Sequence, residues 1–409
     1  MTERPARTGR AVAGAACLVW ALVGGCAYEF PWERPSGAGA PLAQGDRDTN
    51  TEASLRRAVA KAEQYGRDDP RVATSLNALA GFYSSHGQYE QAGALYRRAL
   101  QIREKAYGPD HPDVVVSLNN LAGLYVLERR FTEAEPLYRR ALLSNERLAG
   151  PDALSTAVIL RNLASLYISQ GRYRDAVPFY ERVVVIREKN LGPTHPDVSG
   201  DLNNLAELYR LLGDNAKAEE LYRRAAAIRE KAPGAPDAQL AIILANLAGL
   251  YVVEGKYEEA EPLYERVVVI RQRAPGAGEL DLAASLTDLA GIYALRGKPG
   301  EAEPLYRQAL AMRERALGPN DLRVATSLHT LAYFYASQRQ FAKAEPLYQR
   351  ALKIREQAVG PNSPALAPTL RDYAALLRAA GRETEADAME ARIAALGPTP
   401  SGAVTGGAR

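Results

Sequence analysis

The stretch LNNLAGLY occupies Leu118–Tyr125, and it returns as LRNLASLY at 160–167, LNNLAELY at 202–209 and LANLAGLY at 244–251. Each copy starts 42 residues after the last. The apolar letters hold their places and an asparagine is kept among them. With repeat position 1 set at Val72, later units begin at Val114, Thr156, Val198, Leu240, Leu282, Val324 and Leu366, without an insertion. The last, a capping unit over 366–397, is truncated near Gly397, and residues 54–71 precede the series as a half unit. A fixed period of this size predicts a stack of identical supersecondary units, each burying its apolar face only against its neighbours.

Within a unit the pattern is helical twice. Val72, Leu76, Leu79, Ala80 and Tyr83 fall at positions 1, 5, 8, 9 and 12, which share one side of a helix at about 100° per residue. A glycine such as Gly87, Gly171 or Gly255 then breaks the chain. A second helix follows, with Ala92, Leu95, Tyr96, Ala99, Leu100 and Ile102 at steps of three and four. It ends at YGPDHPD (107–113), where Gly108 is expected to supply a left-handed C-terminal cap and Pro112 the first turn of the next helix. Pro136, Pro178, Pro262, Pro304 and Pro346 stand some residues inside the second helices. A mid-helix proline costs about 3 kcal/mol, so each is expected either near the first turn or in a bend the stack accommodates.

These residues resemble the tetratricopeptide repeat. Its W-x2-L-G-x2-Y…A-x3-F signature appears as Leu76-x2-Leu79-Ala80-x2-Tyr83…Ala92-x3-Tyr96. The 42-residue length, EAEPLYRRAL at 133–142 and the GPDHPD connection look like the kinesin-light-chain type. The resemblance covers 72–397 and implies an all-α fold, a right-handed α-solenoid whose first helices line a concave groove. Of 22 tyrosines, 14 occupy just positions 12 and 25, Tyr83 through Tyr335 and Tyr96 through Tyr348. One per unit at a core-facing place reads as packing. The last unit puts Leu377 and Glu390 there, as expected of a cap with no neighbour to cover it.

The N-terminus reads as an address. Residues 1–10 carry three arginines and 11–23 form an uncharged apolar run of 13, too short for a spanning helix and suited to a signal peptide over 1–25. LVGGC (22–26) resembles the bacterial lipobox, with Val23 and Gly25 matching and Gly24 a looser fit. The resemblance implies lipidation of Cys26 and, because Ala27 rather than aspartate follows, an outer-membrane protein facing the periplasm. The alternatives are cleavage after Ala27, giving a secreted or periplasmic soluble protein, and an uncleaved anchor. Residues 26–53, rich in Pro and Gly, read as a flexible tether, and 398–409 as a flexible tail.

Several classes of function find no support. Removing the three arginines and one glutamate of residues 1–25 from 51 basic and 48 acidic residues leaves 48 against 47, a net +1. Nucleic-acid binding would want a basic stripe, so no nucleic-acid partner is expected. Both cysteines, Cys17 and Cys26, lie at the N-terminus, leaving no thiolate metal site or nucleophile in the repeats. The four histidines fit no metal-ligand spacing, with His111 and His195 in equivalent connections. No phosphate loop or nucleophile elbow occurs. No catalytic residue, metal or small-molecule cofactor is expected. Glu135–Arg139, Glu219–Arg223 and Glu303–Arg307 are i,i+4 pairs that solubilise the second helices.

The asparagines remain. Asn120, Asn162, Asn204 and Asn246 occupy position 7, and Asn77, Asn119 and Asn203 occupy position 6. Asparagine is a poor helix former, so propensity does not explain them. Position 10 is small at Gly81, Gly123, Ser165, Gly249 and Gly291, which would leave room above the row. Each amide offers donors and acceptors suited to the backbone of an extended peptide, and groove asparagines serve that purpose in the family resembled. The bland alternative is that the amides bond neighbouring helices and order the stack. Position 3 carries no base in any unit, against the charged clamp some relatives use for C-terminal carboxylates. The expectation is a lipid-anchored protein- or peptide-binding scaffold of the bacterial envelope. The runner-up is a structural part of a secretion, pilus or polysaccharide-export assembly.

Overall fold

The computed structural model describes residues 51–234, 237–273 and 278–396. The signal peptide, Cys26, nearly all of the tether and the C-terminal tail lie outside the described residues. Those described form seventeen α-helices and no strand, and they divide into two compact units at 228/229. In the first unit α1 (Glu52–Glu63) stands alone, the half repeat. The hairpins α2–α3 (Pro70–Ser85, Tyr89–Tyr107), α4–α5 (Pro112–Leu127, Phe131–Ala149) and α6–α7 (Leu154–Ser169, Tyr173–Leu191) follow, then α8 (Pro196–Leu211) and most of α9 (Asn215–Lys231). The second unit holds α10–α11 (Ala238–Val253, Tyr257–Arg273), α12–α13 (Glu279–Leu295, Pro299–Leu317) and α14–α15 (Leu322–Ser337, Phe341–Val359). After a 3-10 turn at Pro364–Leu366 comes α16–α17 (Ala367–Ala379, Glu383–Ala395). Each unit is a run of α-solenoid built from tandem helical hairpins.

The apolar stripes do what their spacing predicts. Val72, Leu76, Leu79, Ala80 and Tyr83 are all buried on α2, and Ala92, Tyr96, Ala99, Leu100 and Ile102 on α3. Thirteen of the fourteen repeat tyrosines are buried, and Tyr293 is half-buried. Burial pushes the Tyr96 hydroxyl up to about 12. The position-12 tyrosines keep their hydroxyls satisfied at the edge of the core: Tyr83, Tyr167 and Tyr335 donate to Glu52, Glu135 and Glu303 at 2.7–2.8 Å. In the cap Leu377 remains core, while Glu390 joins Glu383 and Asp387 around Arg378. Polar substitution therefore marks only the outer of the two positions.

Turns and caps differ from expectation in detail. Gly108 has φ +80° but ψ 174°, outside the left-handed helical region and in one that only glycine enters readily. Its N–H still bonds the Glu104 carbonyl at 2.9 Å. His111 and His195, in equivalent connections, cap α4 and α8: each accepts the N–H of the residue two further on at 3.2 Å. Pro136 is the sixth residue of α5, beyond the first turn, and the helix continues unbroken from Phe131 to Ala149. All five helix-interior prolines are exposed, so no packing contact of the ring explains them.

The i,i+4 pairs form, with Glu135–Arg139 at 2.9 Å and Glu219–Arg223 at 2.8 Å. A longer-range ladder was not legible as such. Arg140 bonds Glu104 and Arg182 bonds Glu146, both at 2.6 Å, linking each second helix to the one before. The second unit repeats it in Arg350–Glu314 and Arg392–Glu356, again at 2.6 Å. Where the register would place another rung, both partners are glutamine, Gln272 and Gln308.

Candidate functional site on the first helices

The asparagines meet in pairs. The Asn120 side-chain N–H donates to the Asn77 carbonyl oxygen at 3.1 Å, and Asn162 donates likewise to Asn119 at 2.8 Å. Position 7 of one first helix thus reaches position 6 of the preceding one. In the second unit the same register joins different chemistry: His329 Nε2 lies 2.9 Å from Asp372 Oδ2, with Thr369 Oγ1 3.3 Å from Nδ1. The rung belongs to the register of the stack, and the amide is one way of filling it. Asn162 and Asn203 are buried; Asn77, Asn119, Asn120, Asn204 and Asn246 are half-buried. None is fully exposed.

The small residues at position 10 serve the tyrosines. A Cβ built on Gly81 would sit 3.6 Å from the Tyr96 hydroxyl, and one on Gly249 3.7 Å from that of Tyr264. The space expected above the row is therefore bounded by a phenol from the second helix. Where position 10 is Glu207, the carboxylate itself accepts the Tyr222 hydroxyl at 2.6 Å and binds Arg210 through both oxygens.

At repeat position 6 one residue of the first unit departs from the amide. Arg161 stands at position 6 of α6, where the adjacent repeats have Asn119 and Asn203. Beside it Asp201 is buried, ion-paired with Arg187 at 2.8 Å outside hydrogen-bond geometry and approached by Arg161 at 4.0 Å. Burial pushes the Asp201 carboxyl up, and the two guanidinium groups pull it back. Burial likewise raises Tyr180, opposed by Arg161 and by the neighbouring side chains of Asn204 and Ser165. So Arg161, Tyr180, Asp201 and Asn204 converge between α6, α7 and α8. Position 3, where a charged clamp would stand, carries no sign of this cluster; its base is at position 6.

Among the described residues no group of three or more His, Cys, Asp or Glu is placed to hold a metal ion. No described helix is long and apolar enough to cross a membrane. The arrangement offers hydrogen bonds and packing surface.

The chain is similar to several solved structures. BtubC (BKLC) from P. vanneervenii is 26% identical, over 65% of this chain and 91% of that one, with a TM-score of 0.47. A putative kinesin light chain from Podosopora anserina with nearly identical TPR-like repeats is 24% identical over 61% and 98%, with a TM-score of 0.35. The signal-transduction ATPase PH0952 from Pyrococcus horikoshii, which has a tetratricopeptide repeat sensor, matches 86% of this chain and 53% of that one. Its identity is 14% and its TM-score 0.57, a likeness of fold. No curated protein sequence matches the chain. The tetratricopeptide repeat model matches residues 71–142, 117–189, 155–231, 239–315 and 323–396. With paired helices and packing tyrosines repeating through both units, the chain belongs to the tetratricopeptide repeat family, whose members are typically protein-interaction scaffolds.

Proposed function

We propose that the protein is a non-enzymatic scaffold that holds a protein or peptide along its first helices and is anchored by lipid on Cys26 in the bacterial envelope, facing the periplasm from the outer membrane. The observation that carries the binding reading is the row of amides in one register. The Asn77–Asn120 bond engages one N–H and one carbonyl oxygen, while each primary amide brings two donors and two acceptor sites. In the first unit the half-buried Asn77, Asn119, Asn120 and Asn204 present amide edges to a ligand backbone, and the buried Asn162 and Asn203 hold the row in place; in the second unit the half-buried Asn246 presents its own. No nucleic acid or cofactor enters this reading.

The test replaces Asn120, Asn162, Asn204 and Asn246 by alanine together and measures capture of envelope proteins after crosslinking alongside the unfolding midpoint. Loss of captured partners from a folded variant supports the groove. An unchanged set of partners with a lowered midpoint assigns the amides to the stack alone. Anchoring is tested by Cys26→Ser, which should leave the membrane fraction; stable attachment needs more than one acyl chain. Recovery with membranes at the wild-type level would rule out lipid as the anchor.

The alternative, a structural part of an envelope secretion, pilus or polysaccharide-export assembly, draws on a different surface. Leu143 and Val185, at the same position of α5 and α7, are 59% and 60% exposed. In that case Leu143→Glu with Val185→Glu, and not the asparagine variant, abolishes assembly.

A further inference from the structure

We infer that the outward ridge of α5 and α7 docks a second copy of this chain, with α5 of each copy lying along α7 of the other. The inference goes beyond the groove and the lipid anchor and needs neither. Leu143 and Val185 stand nine residues after the buried Ala134 and Ala176. At about 100° per residue that is half a turn, so both point straight away from the core. Two helical turns before them, on the same ridge, come the exposed Pro136 and Pro178. A solvated helix carries polar residues on this face. The flanking second helices of the unit have Gln101 and Ala227 at the position of Leu143 and Val185, so the large apolar side chains are confined to two adjacent helices. An exposed patch of this kind marks a contact surface.

Charge says what covers it. Between the proline and the apolar residue, the ridge carries Arg139 on α5 and Glu181 on α7, both exposed. Arg139 pairs with Glu135 at 2.9 Å and Glu181 accepts the Tyr209 hydroxyl at 2.6 Å, contacts that hold each side chain at the ridge. The two helices are one repeat apart, run in the same direction and are joined by Arg182 and Glu146, so equal repeat positions lie at matching levels. A twofold axis parallel to them and midway between them lays α5 on α7 of the other copy. Leu143 then meets the other copy's Val185, Pro136 its Pro178 and Arg139 its Glu181, each contact made twice. Arg147 and Lys189 also come opposite each other, but they are already paired with Asp110 and Asp152. An antiparallel packing of α5 on itself about Leu143 would instead set Arg139 against Arg147. The face is thus complementary to itself in apolar contact and in charge, in one arrangement.

The test is sedimentation equilibrium of the purified full chain in a density-matched detergent. An envelope assembly would draw on the same ridge, and a sample with no other protein isolates self-association. The chain should dimerise with a Kd of about 10 µM, the weak end expected of a contact two helices wide. Arg139→Glu and Glu181→Arg should each weaken the dimer about tenfold or more, because each sets like charges face to face twice. An equimolar mixture of these two variants should dimerise as the wild type does, since every contact in the mixed pair is again Glu with Arg. Leu143→Glu with Val185→Glu should leave a monomer, while Val269→Glu in the second unit should change nothing. Circular dichroism checks that each variant is folded. A wild-type chain still monomeric at about 100 µM overturns the inference and leaves the groove reading intact. A dimer that survives either charge reversal, or that the mixture fails to restore, overturns it as well.

Discussion

Asn120 donates its amide N–H to the carbonyl oxygen of Asn77 at 3.1 Å, across the seam between two consecutive first helices. Neither residue is one that a helix prefers, and each is held by the other. The contact costs little when both partners are lost and more when one is left behind.

A double-mutant cycle separates these terms. Asn77→Ala or Asn120→Ala alone should lower the unfolding free energy by a few tenths of a kcal/mol. The lost hydrogen bond is worth about 1 kcal/mol, offset by the better helix propensity of alanine. The double variant should be no worse than either single one. A coupling energy near zero by urea titration would mean that the rung contributes nothing to stability.

Two arginines occupy turns where their equivalents are glycine. Arg129 has φ +57° and Arg339 +59°, against +73° and +72° at Gly87 and Gly171. An L-residue in that region carries strain of about 1–2 kcal/mol, while glycine loses about 0.4–1 kcal/mol through its freer unfolded chain. Arg129→Gly and Arg339→Gly should each therefore gain about 0.5 kcal/mol. A loss at residue 129 would mean that the Arg129 guanidinium over Phe131, 5.8 Å from the ring centre, matters more than the backbone.

Gln272 and Gln308 fall where other repeats carry a glutamate–arginine rung. Gln272→Glu with Gln308→Arg should restore it, with a coupling of about 0.5 kcal/mol that fades in 1 M salt. Either single substitution should be nearly neutral. Equal values for the double variant at low and high salt would show that these two helices do not share the register of the others.

Acid should weaken the aspartate caps. Asp69 accepts the Arg71 N–H at 2.9 Å and Asp321 that of Arg323 at 2.8 Å. The Arg71 side chain and backbone N–H hold the Asp69 carboxyl down at about 2, and Arg323 lowers Asp321 in the same way. A carboxyl depressed in the folded state stabilises fully above its unfolded value, 3.8, and this contribution is lost as pH falls through about 2. Asp69→Asn with Asp321→Asn keeps a capping oxygen but cannot titrate. Its stability should fall less steeply than wild type between pH 4 and 2, followed by circular dichroism.

The helices, their pairing and the identity of the core are legible along the chain, because burial of an apolar stripe depends on a period of 3.6 that can be counted. Val72, Leu76 and Tyr83 are where that count puts them. The asparagines stand out there too, since Asn119 and Asn120 run against helix propensity.

What those residues touch depends on how the helices stack. Asn120 meets Asn77, 43 positions away, and Tyr96 reaches over Gly81 from another helix. Such contacts are set by the offset between stacked helices, which no count along one helix contains. The same offset brings Arg161 and Arg187 to Asp201. In the sequence these charges stand 40 and 14 residues apart, and only a chain already folded on its apolar stripes places them around one buried carboxylate.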